Sequence, residues 1–577
     1  MKTQNASYEI ARLYVEDLVE HLPSEIWNSL HEYIRAKSLD QLGNASCLFP
    51  WHSQDQNMGF DLCYDPGMVL RALMQVEAFF KKNVVYSDDS RCAEAAIASF
   101  QKGELKCKIS NKRLDYYYTK RERLAPDLSE WMSRMEHYIK NVLGPFDSFM
   151  DELPVHLKVT GGATSTRSRR DSQPFTKVSK RPVCQPYSAA LYDATSKFFG
   201  YGDVRAHVRT TNRVELVLKN WKTHRTIAAE NEGDIPFQLA FDSYGKRRLR
   251  EVAGIDLRDQ SRNQHLAYAS SITGFHATVD VENASNTNPY NLPAWLFEAD
   301  WFEYLNGIRA RGYTSRHMSG GKYEMFSSMG NGSTFVVETL IFAAACYAVG
   351  SKDFSVYGDD IVIETDLVPN LTKLLAFCGF TLNAAKTHTH GLFRESCGVN
   401  CYSGVDITPF YVREWSTKKW TLSHNVNGLA KIALPGGNLW WKLRELVAQH
   451  QLPLVPINLS TVSGVFIDPH HCYGRNILRW KDSQTKFKAY VSTYKLARSD
   501  DSRSLFLWHL DKYHRRERAF TQNVRSKRPT GALRYRRKWV NYYPQDPSKV
   551  PCHLFQWSEY LLKDQRVWSR VFKYPEN

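Results

Sequence analysis

Apolar residues near the start of the chain recur at helical spacing. Ile10, Leu13, Tyr14 and Leu18 fall on one face, with charged residues between them. Residues 1–60 are therefore expected to be mainly helical, with a turn at Leu48-Phe49-Pro50. Further on the period shortens. Arg213 to Glu230 reads as strand, basic turn, strand, and Ala277-Thr278-Val279-Asp280-Val281 has the β-branched content of a buried strand. Phe354 to Tyr357 and Ile361 to Ile363 are two short apolar strands. Gly358, Asp359 and Asp360 join them as a tight turn. Between these strands, Ser327 to Thr334 forms a Gly-rich loop leading into an apolar helix. Ser333 or Thr334 is expected to cap that helix, and Phe335, Val336, Leu340, Ile341 and Ala344 to be buried by it.

The longest apolar run, Phe335 to Val349, is too short to span a bilayer and contains Glu338. The amphipathic start is not a secretory signal, so the chain is expected to be soluble and not exported, with no membrane partner. At 577 residues it is too long for one ordinary core, and two to four subdomains are expected. Its 76 Lys and Arg exceed its 60 Asp and Glu by 16, which points to a polyanionic partner. Two segments concentrate that charge. Gly161 to Pro182 reads as an exposed basic loop, and Lys512 to Trp539 alternates cations with Tyr513, Phe520, Tyr535 and Trp539. Such a mixture suits a single-stranded nucleic acid. The 11 cysteines are scattered, so reduced thiols are expected. Cys397 and Cys401 with His388 and His390 do not have the spacing of a structural zinc site.

The hairpin and the upstream strand together can bring Asp280, Asp359 and Asp360 into one cleft. Two unit charges about 4 Å apart repel by roughly 4 kcal/mol at an effective dielectric of 20, so such a cluster calls for cations. Carboxylate oxygens suit Mg²⁺ or Mn²⁺, and a pair of such ions can activate a 3′-hydroxyl and stabilise a leaving pyrophosphate. A Gly-Asp-Asp turn by itself is more often a solvated hairpin tip. In the Gly-rich loop, small residues including Gly330 permit close approach by a sugar, and Ser328 or Asn331 can hydrogen-bond a ribose hydroxyl.

SSMGNGSTFVVETLIFAAA, then VYGDDIVI, then GFTLNAAKT and FRESCGVNCYSGVDITPFYVRE, closely resemble the replicase catalytic (beta) subunit of RNA bacteriophages of levivirus type. The resemblance covers about residues 210–415. It implies an RNA-directed RNA polymerase that starts without a primer on a single-stranded RNA genome, in the cytoplasm of a bacterial host. The implied fold is α+β, a right hand of fingers, palm (an antiparallel sheet flanked by helices) and thumb. Along this chain the division would be a helical segment over 1–60, fingers over 61–260, palm over 261–425, and thumb with the basic aromatic region over 426–577. The implied ligands of two Mg²⁺ ions (or Mn²⁺) are Asp280, Asp359 and Asp360, with the backbone carbonyl of Val281. LKNWKTHRTI matches the family's basic fingers motif, so Lys219, Lys222 and Arg225 would face the incoming ribonucleoside triphosphate. Lys386 would protonate the leaving pyrophosphate. Asn286 stands where such polymerases often carry a second Asp, and ribose selection through Asn286 and Asn331 is the corresponding expectation. The implied partners are RNA template and product, host translation elongation factors Tu and Ts, and a ribosomal RNA-binding protein. A reverse transcriptase or a non-catalytic RNA-binding protein are the alternatives. The Gly before Asp359 counts against the first, and three convergent carboxylates against the second.

Overall fold

The computed structural model describes residues 3–35, 65–83, 89–168, 182–198, 206–457, 460–472, 477–481, 484–493, 534–542 and 551–562. It is a mixed helix and sheet protein built on two main apolar cores. The larger core surrounds a three-stranded antiparallel sheet whose order is His276–Asp280, Asp360–Glu364, Ser355–Tyr357. Ala277 and Val279 from the first strand, and Ile361 and Ile363 from the second, are buried there. Each such Val or Ile side chain contributes about 1.5–3 kcal/mol when fully buried, and the alanine methyl less. Helix Ser261–Thr273 packs on this sheet, and the central helix Thr334–Ala348 packs on its Ser355–Tyr357 edge. The central helix is apolar on almost every side, so it is enclosed rather than amphipathic. Val336, Leu340, Ile341 and Ala344 are buried as expected, but Phe335 is only half-buried, with its ring 5.2 Å from that of Tyr357. It lies at the helix's first turn, where the helix emerges under the hairpin tip.

The cap of the central helix also differs from expectation. Neither Ser333 nor Thr334 caps it with its own side chain. Asn331 Oδ1 accepts from the Ser333 amide (2.9 Å) and hydroxyl (2.7 Å), and Thr334 Oγ1 turns back to the Ser328 carbonyl (3.0 Å). The loop thus folds onto itself before the helix starts.

The basic segment expected to be a hairpin is one, with strands Thr211–Asn220 and Thr223–Ala229. It belongs to a four-stranded sheet completed by Gly312–Ser315 and Gly321–Lys322. The second core joins elements far apart in sequence. Helices Thr3–Glu16, Ser24–Arg35 and Pro66–Lys81 pack with Lys419–Ile432, Asn438–Gln449 and Cys552–Leu562. Ile10, Tyr14 and Leu18 all point into it.

Part of the segment over 161–182 is less exposed than its composition suggests. Thr164 and Ser165 are buried, because Ser165 donates to Asn231 Oδ1 (2.6 Å) and Thr164 to Glu232 (3.4 Å). Residues 169–181 lie outside the described residues, as do 512–533 of the basic aromatic tail. Its remainder is a strand, Arg534–Asn541, paired antiparallel with Gln484–Thr493, where Lys488 Nζ lies 5.1 Å from the Trp539 ring centroid. Cys92, Cys107, Cys184, Cys346, Cys378, Cys397 and Cys401 are buried and form no disulfide. Among the described residues, no helix is long and apolar enough to cross a membrane.

Candidate active site

Asp280 is the last residue of its strand and Asp360 the first of the neighbouring one. Their antiparallel register makes them direct cross-strand partners. Residues so paired carry Cβ atoms about 4.5–5.5 Å apart on one face of a sheet. Asp359 is the turn residue immediately before. The turn is fastened from below: Gly358 has φ +65°, and its amide donates to Thr339 Oγ1 of the central helix at 3.2 Å. A Cβ on Gly358 would stand 2.4 Å from Phe335 Cε2, so only glycine fits this approach.

Three acids in one place perturb one another. Burial, then the charges of Asp359 and Asp280, push Asp360 up to about 6. Asp359 is open at its tip but enclosed at its base. Burial and then Asp280 raise its pKa as well. Lys386 Nζ lies 3.5 Å from Asp280 Oδ1 and 3.9 Å from Glu395 Oε1. Burial opposes its charge, but Glu395, Asp280 and Asp360 outweigh that and raise its pKa. Asp280 itself is held from its other side by Asn383. The Asn383 side-chain amide donates to Asp280 Oδ2 and its backbone amide to the Asp280 carbonyl, both at 2.8 Å. The next bond along runs from the Glu282 amide to the Thr381 carbonyl (2.9 Å), which leaves the Val281 carbonyl outside this pairing.

Could these groups hold a divalent metal? Among the described residues, no three His, Cys, Asp or Glu side chains are gathered tightly enough to enclose an ion unaided. The donors present are hard oxygens of carboxylates that repel one another. Mg²⁺ is ordinarily held by one or two carboxylates together with water and substrate phosphates, so an incomplete acidic set of this kind fits it.

Of the basic residues on the hairpin, Lys219 stands at the carboxylates, with Arg225 beside it. Lys219 feels both Asp280 and Asp359, yet burial, then Arg225 and Lys386, lower its pKa. Lys222 lies instead at the hairpin tip, with Nζ 5.0 Å from the Trp221 ring centroid. The Gly-rich loop lies against the hairpin's second strand, where the Ala228 amide donates to the Met329 carbonyl at 2.7 Å. Gly330, at φ +119°, would bring a Cβ to 2.2 Å from the Ala228 carbonyl oxygen. Its lack of a side chain is therefore required by the neighbouring strand. Ser328 and Asn331 are buried in this loop. Asn286, in the short helical turn after Asp280, has its Nδ2 3.4 Å from Thr226 Oγ1, while its buried Oδ1 has no hydrogen-bond partner.

Two residues here escaped the sequence reasoning. Asn383 had a signal, since it lies in the NAAKT segment, but nothing local shows that it reaches Asp280. Glu338 was noticed only as a charge interrupting an apolar run. It is 4% exposed, bonded to Ser285 beside Asn286, and has an unpaired Oε1. Burial, against that bond and with the added repulsion of Asp359, pushes it up to about 8.

A family model described as "RNA replicase, beta-chain" matches residues 68–438. The chain is 36% identical over 406 residues to the RNA-directed RNA polymerase subunit beta of Escherichia virus Qbeta, covering 67% of this chain and 68% of that one. It is 35% identical to the same subunit of Qbeta virus strain MX1, covering 54% of each. With the RNA-directed RNA polymerase beta chain of Enterobacteria phage fr it shares 30% identity over 386 residues, 63% of this chain and 69% of that one. Among solved structures, the RNA-dependent RNA polymerase of BmCPV at its elongation state aligns with a TM-score of 0.38 at 10% identity. That alignment covers 56% of this chain and 33% of that one.

Proposed function

Since this chain belongs to the RNA replicase beta-chain family and is an RNA-directed RNA polymerase of an RNA bacteriophage, we propose that it copies a single-stranded RNA genome without a primer, by two-metal nucleotidyl transfer at Asp280, Asp359 and Asp360. The observation that carries this is the register setting Asp280 opposite Asp360, with Asp359 on the adjoining turn. These three acids, with the Val281 carbonyl, would hold two Mg²⁺ ions. When bound, the ions lower the pKa of the attacking 3′-hydroxyl and stabilise charge on the leaving pyrophosphate.

The chain's own residues supply the rest. Asn383 fixes the Asp280 carboxylate by its Oδ2 and leaves Oδ1 directed toward Lys386. Lys386 keeps its proton through Glu395 and Asp280, and so carries it to the leaving pyrophosphate. Lys219 and Arg225 bind the triphosphate, Arg as a fork and Lys as a point charge. Lys222 extends that basic surface at the hairpin tip. Asn286, Ser328, Gly330 and Asn331 border the sugar, with the unpaired Asn286 Oδ1 as an acceptor for a ribose hydroxyl.

In a right-hand division, fingers would take 61–260, palm 261–425 and thumb 426–577, preceded by a helical segment over 1–60. The enzyme would act in the infected bacterium on RNA and ribonucleoside triphosphates. Its proposed companions are host elongation factors Tu and Ts and a ribosomal RNA-binding protein. The test is incorporation of labelled ribonucleotides on an RNA template with Mg²⁺, comparing wild type with Asp359→Asn, with and without those factors. Wild type should synthesise RNA, and Asp359→Asn should bind RNA but make none. Synthesis by Asp359→Asn at the wild-type rate would refute the assignment.

A further inference from the structure

Cations as well as acids are crowded beside this site: Lys82 comes from outside the motifs, and Arg413 from the end of the FRESCGVNCYSGVDITPFYVRE stretch. Lys82 follows helix Pro66–Lys81, and its Nζ stands 3.6 Å from the Tyr411 ring centroid. Tyr411 and Arg413 lie on the segment after the Val399–Tyr402 and Val405–Asp406 strands. Gln75, on the same helix as Lys81, clamps that segment. Its Nε2 donates to the Phe410 carbonyl (2.9 Å), and its Oε1 accepts from the Phe410 amide (2.7 Å). The tip of the basic hairpin is tied to the same place by the Trp221 amide, which donates to the Lys81 carbonyl at 3.1 Å. Three chain segments therefore converge, each bringing a cation.

These cations are not neutralised by one another's surroundings. Among the described residues, Lys82, Lys219, Arg225 and Arg413 have no acidic side chain within ion-pair distance. Burial and then Arg413, Lys81 and Arg225 hold Lys82 below the ordinary ammonium range, with Glu395 acting the other way. Lys219 is lowered in the same manner by burial, Arg225 and Lys386. Like charges gathered with no ion-paired partner, although Lys219 also feels Asp280 and Asp359 and Lys82 feels Glu395, call for a compact polyanion. A solvated basic surface would spread its cations. Here a ring is placed under one and a side-chain clamp fixes the segment carrying another.

We propose that Lys82, seated on Tyr411, and Arg413 complete a phosphate-binding arc with Lys219 and Arg225, and that this arc holds the triphosphate of a nucleotide at the carboxylate site. The inference rests on the polymerase reading and deepens it by adding two triphosphate ligands. A triphosphate can come from the incoming nucleotide or from the nucleotide that starts the new strand, and the two differ in which KM responds.

The probe is inorganic tripolyphosphate, titrated calorimetrically into the full chain as wild type, Lys82→Gln, Lys82→Arg and Arg413→Gln. Each Gln variant should weaken binding by about tenfold, and Lys82→Arg should stay near wild type, because the charge is kept. In synthesis assays, a raised KM during elongation on a primed template assigns the arc to the incoming nucleotide. A raised KM only in unprimed initiation assigns it to the starting one. The proposal is overturned if both Gln variants bind tripolyphosphate within twofold of wild type, or if only RNA affinity falls. It is also overturned if Lys82→Arg is as impaired as Lys82→Gln, or if both Gln variants fail to fold, since the cations would then be structural. Wild type that binds tripolyphosphate but makes no RNA would count against the polymerase reading and leave the arc standing.

Discussion

Replacing Glu338 by Gln tests whether a carboxyl group enclosed beneath the catalytic turn is neutral in the folded enzyme. Its carboxyl is 4% exposed, bonded to Ser285, and pushed from an ordinary 4.5 up to about 8. A group with a raised pKa binds its proton more tightly in the fold than in the unfolded chain. Stability from that proton is complete below about 4.5, where both states are protonated. It is lost as pH rises, because the unfolded chain ionises first, and the loss ends near 8. At about 1.36 kcal/mol per pH unit, roughly 3 kcal/mol has gone by pH 7 and roughly 5 kcal/mol above pH 8. Gln has the same shape, cannot ionise, and keeps an acceptor or donor for Ser285. Glu338→Gln should therefore match wild type near pH 5, exceed it by a few kcal/mol at neutral pH, and gain nothing further above about 8. Thermal denaturation of both proteins at half-unit steps from pH 5 to 9 would show the gap widening and then levelling. A gap constant across that range would refute the reasoning, whatever its sign. It would mean that Glu338 ionises alike in both states.

Other consequences concern the site more directly. Asn383→Ala removes the 2.8 Å bond to Asp280 Oδ2. With about 1–3 kcal/mol at stake, kcat should fall roughly 10- to 100-fold while RNA affinity stays within about twofold; an unchanged kcat would sink the positioning role. Gly358→Ala combines φ +65° with a Cβ 2.4 Å from Phe335 and should lower the melting temperature, reflecting about 1–3 kcal/mol. Gly398→Ala, at φ +75° with nothing near its Cβ, should cost less, and equal losses would exclude the steric part. Because Asp360 titrates at about 6 and Asp359 is raised as well, synthesis should decline below about pH 6. More Mg²⁺ should move that limb to lower pH by favouring the ionised acids, and a limb insensitive to Mg²⁺ would argue against carboxylate ligation.

What could be seen in the sequence was what repeats locally. The β-branched strand ending at Asp280, the two strands around Gly358, and the hairpin carrying Lys219 and Arg225 all have a short period and a turn chemistry of their own. The caps and supports have neither. Asn331 was legible as a loop polar residue but not as the acceptor for Ser333. Asn383 precedes two alanines in a turn, and its bond to Asp280 depends on how two distant segments meet. Lys82 looks like any other of the chain's lysines until Tyr411 is placed against it. Glu338 illustrates the same limit from the other side: in sequence it is a charge that spoils an apolar run, while in the fold burial favours its protonated form. Ile10, Tyr14 and Leu18 correctly announced a buried face. Nothing in their spacing said that the core they enter would also hold Trp440 and Trp557, from the far end of the sequence.

That shared core sets an order of events during synthesis on the ribosome. Helix Thr3–Glu16 packs on the early helices Ser24–Arg35 and Pro66–Lys81, but the core it shares with them is completed only by helices Lys419–Ile432, Asn438–Gln449 and Cys552–Leu562, made much later. At about 5–20 residues per second, roughly five hundred residues of waiting amounts to on the order of a minute. In the last part of that interval the carboxylate sheet and its central helix, whose buried core residues end at Phe380, have their partners and can consolidate. The early helices of the second core, meanwhile, offer the greasy surface that the late helices will cover to chaperones or to neighbouring nascent chains. A chain released early, after residue 414 but before Trp440, would thus carry a complete set of catalytic acids beside an orphaned half-core. It would be removed by proteolysis or aggregation rather than persist as a truncated polymerase.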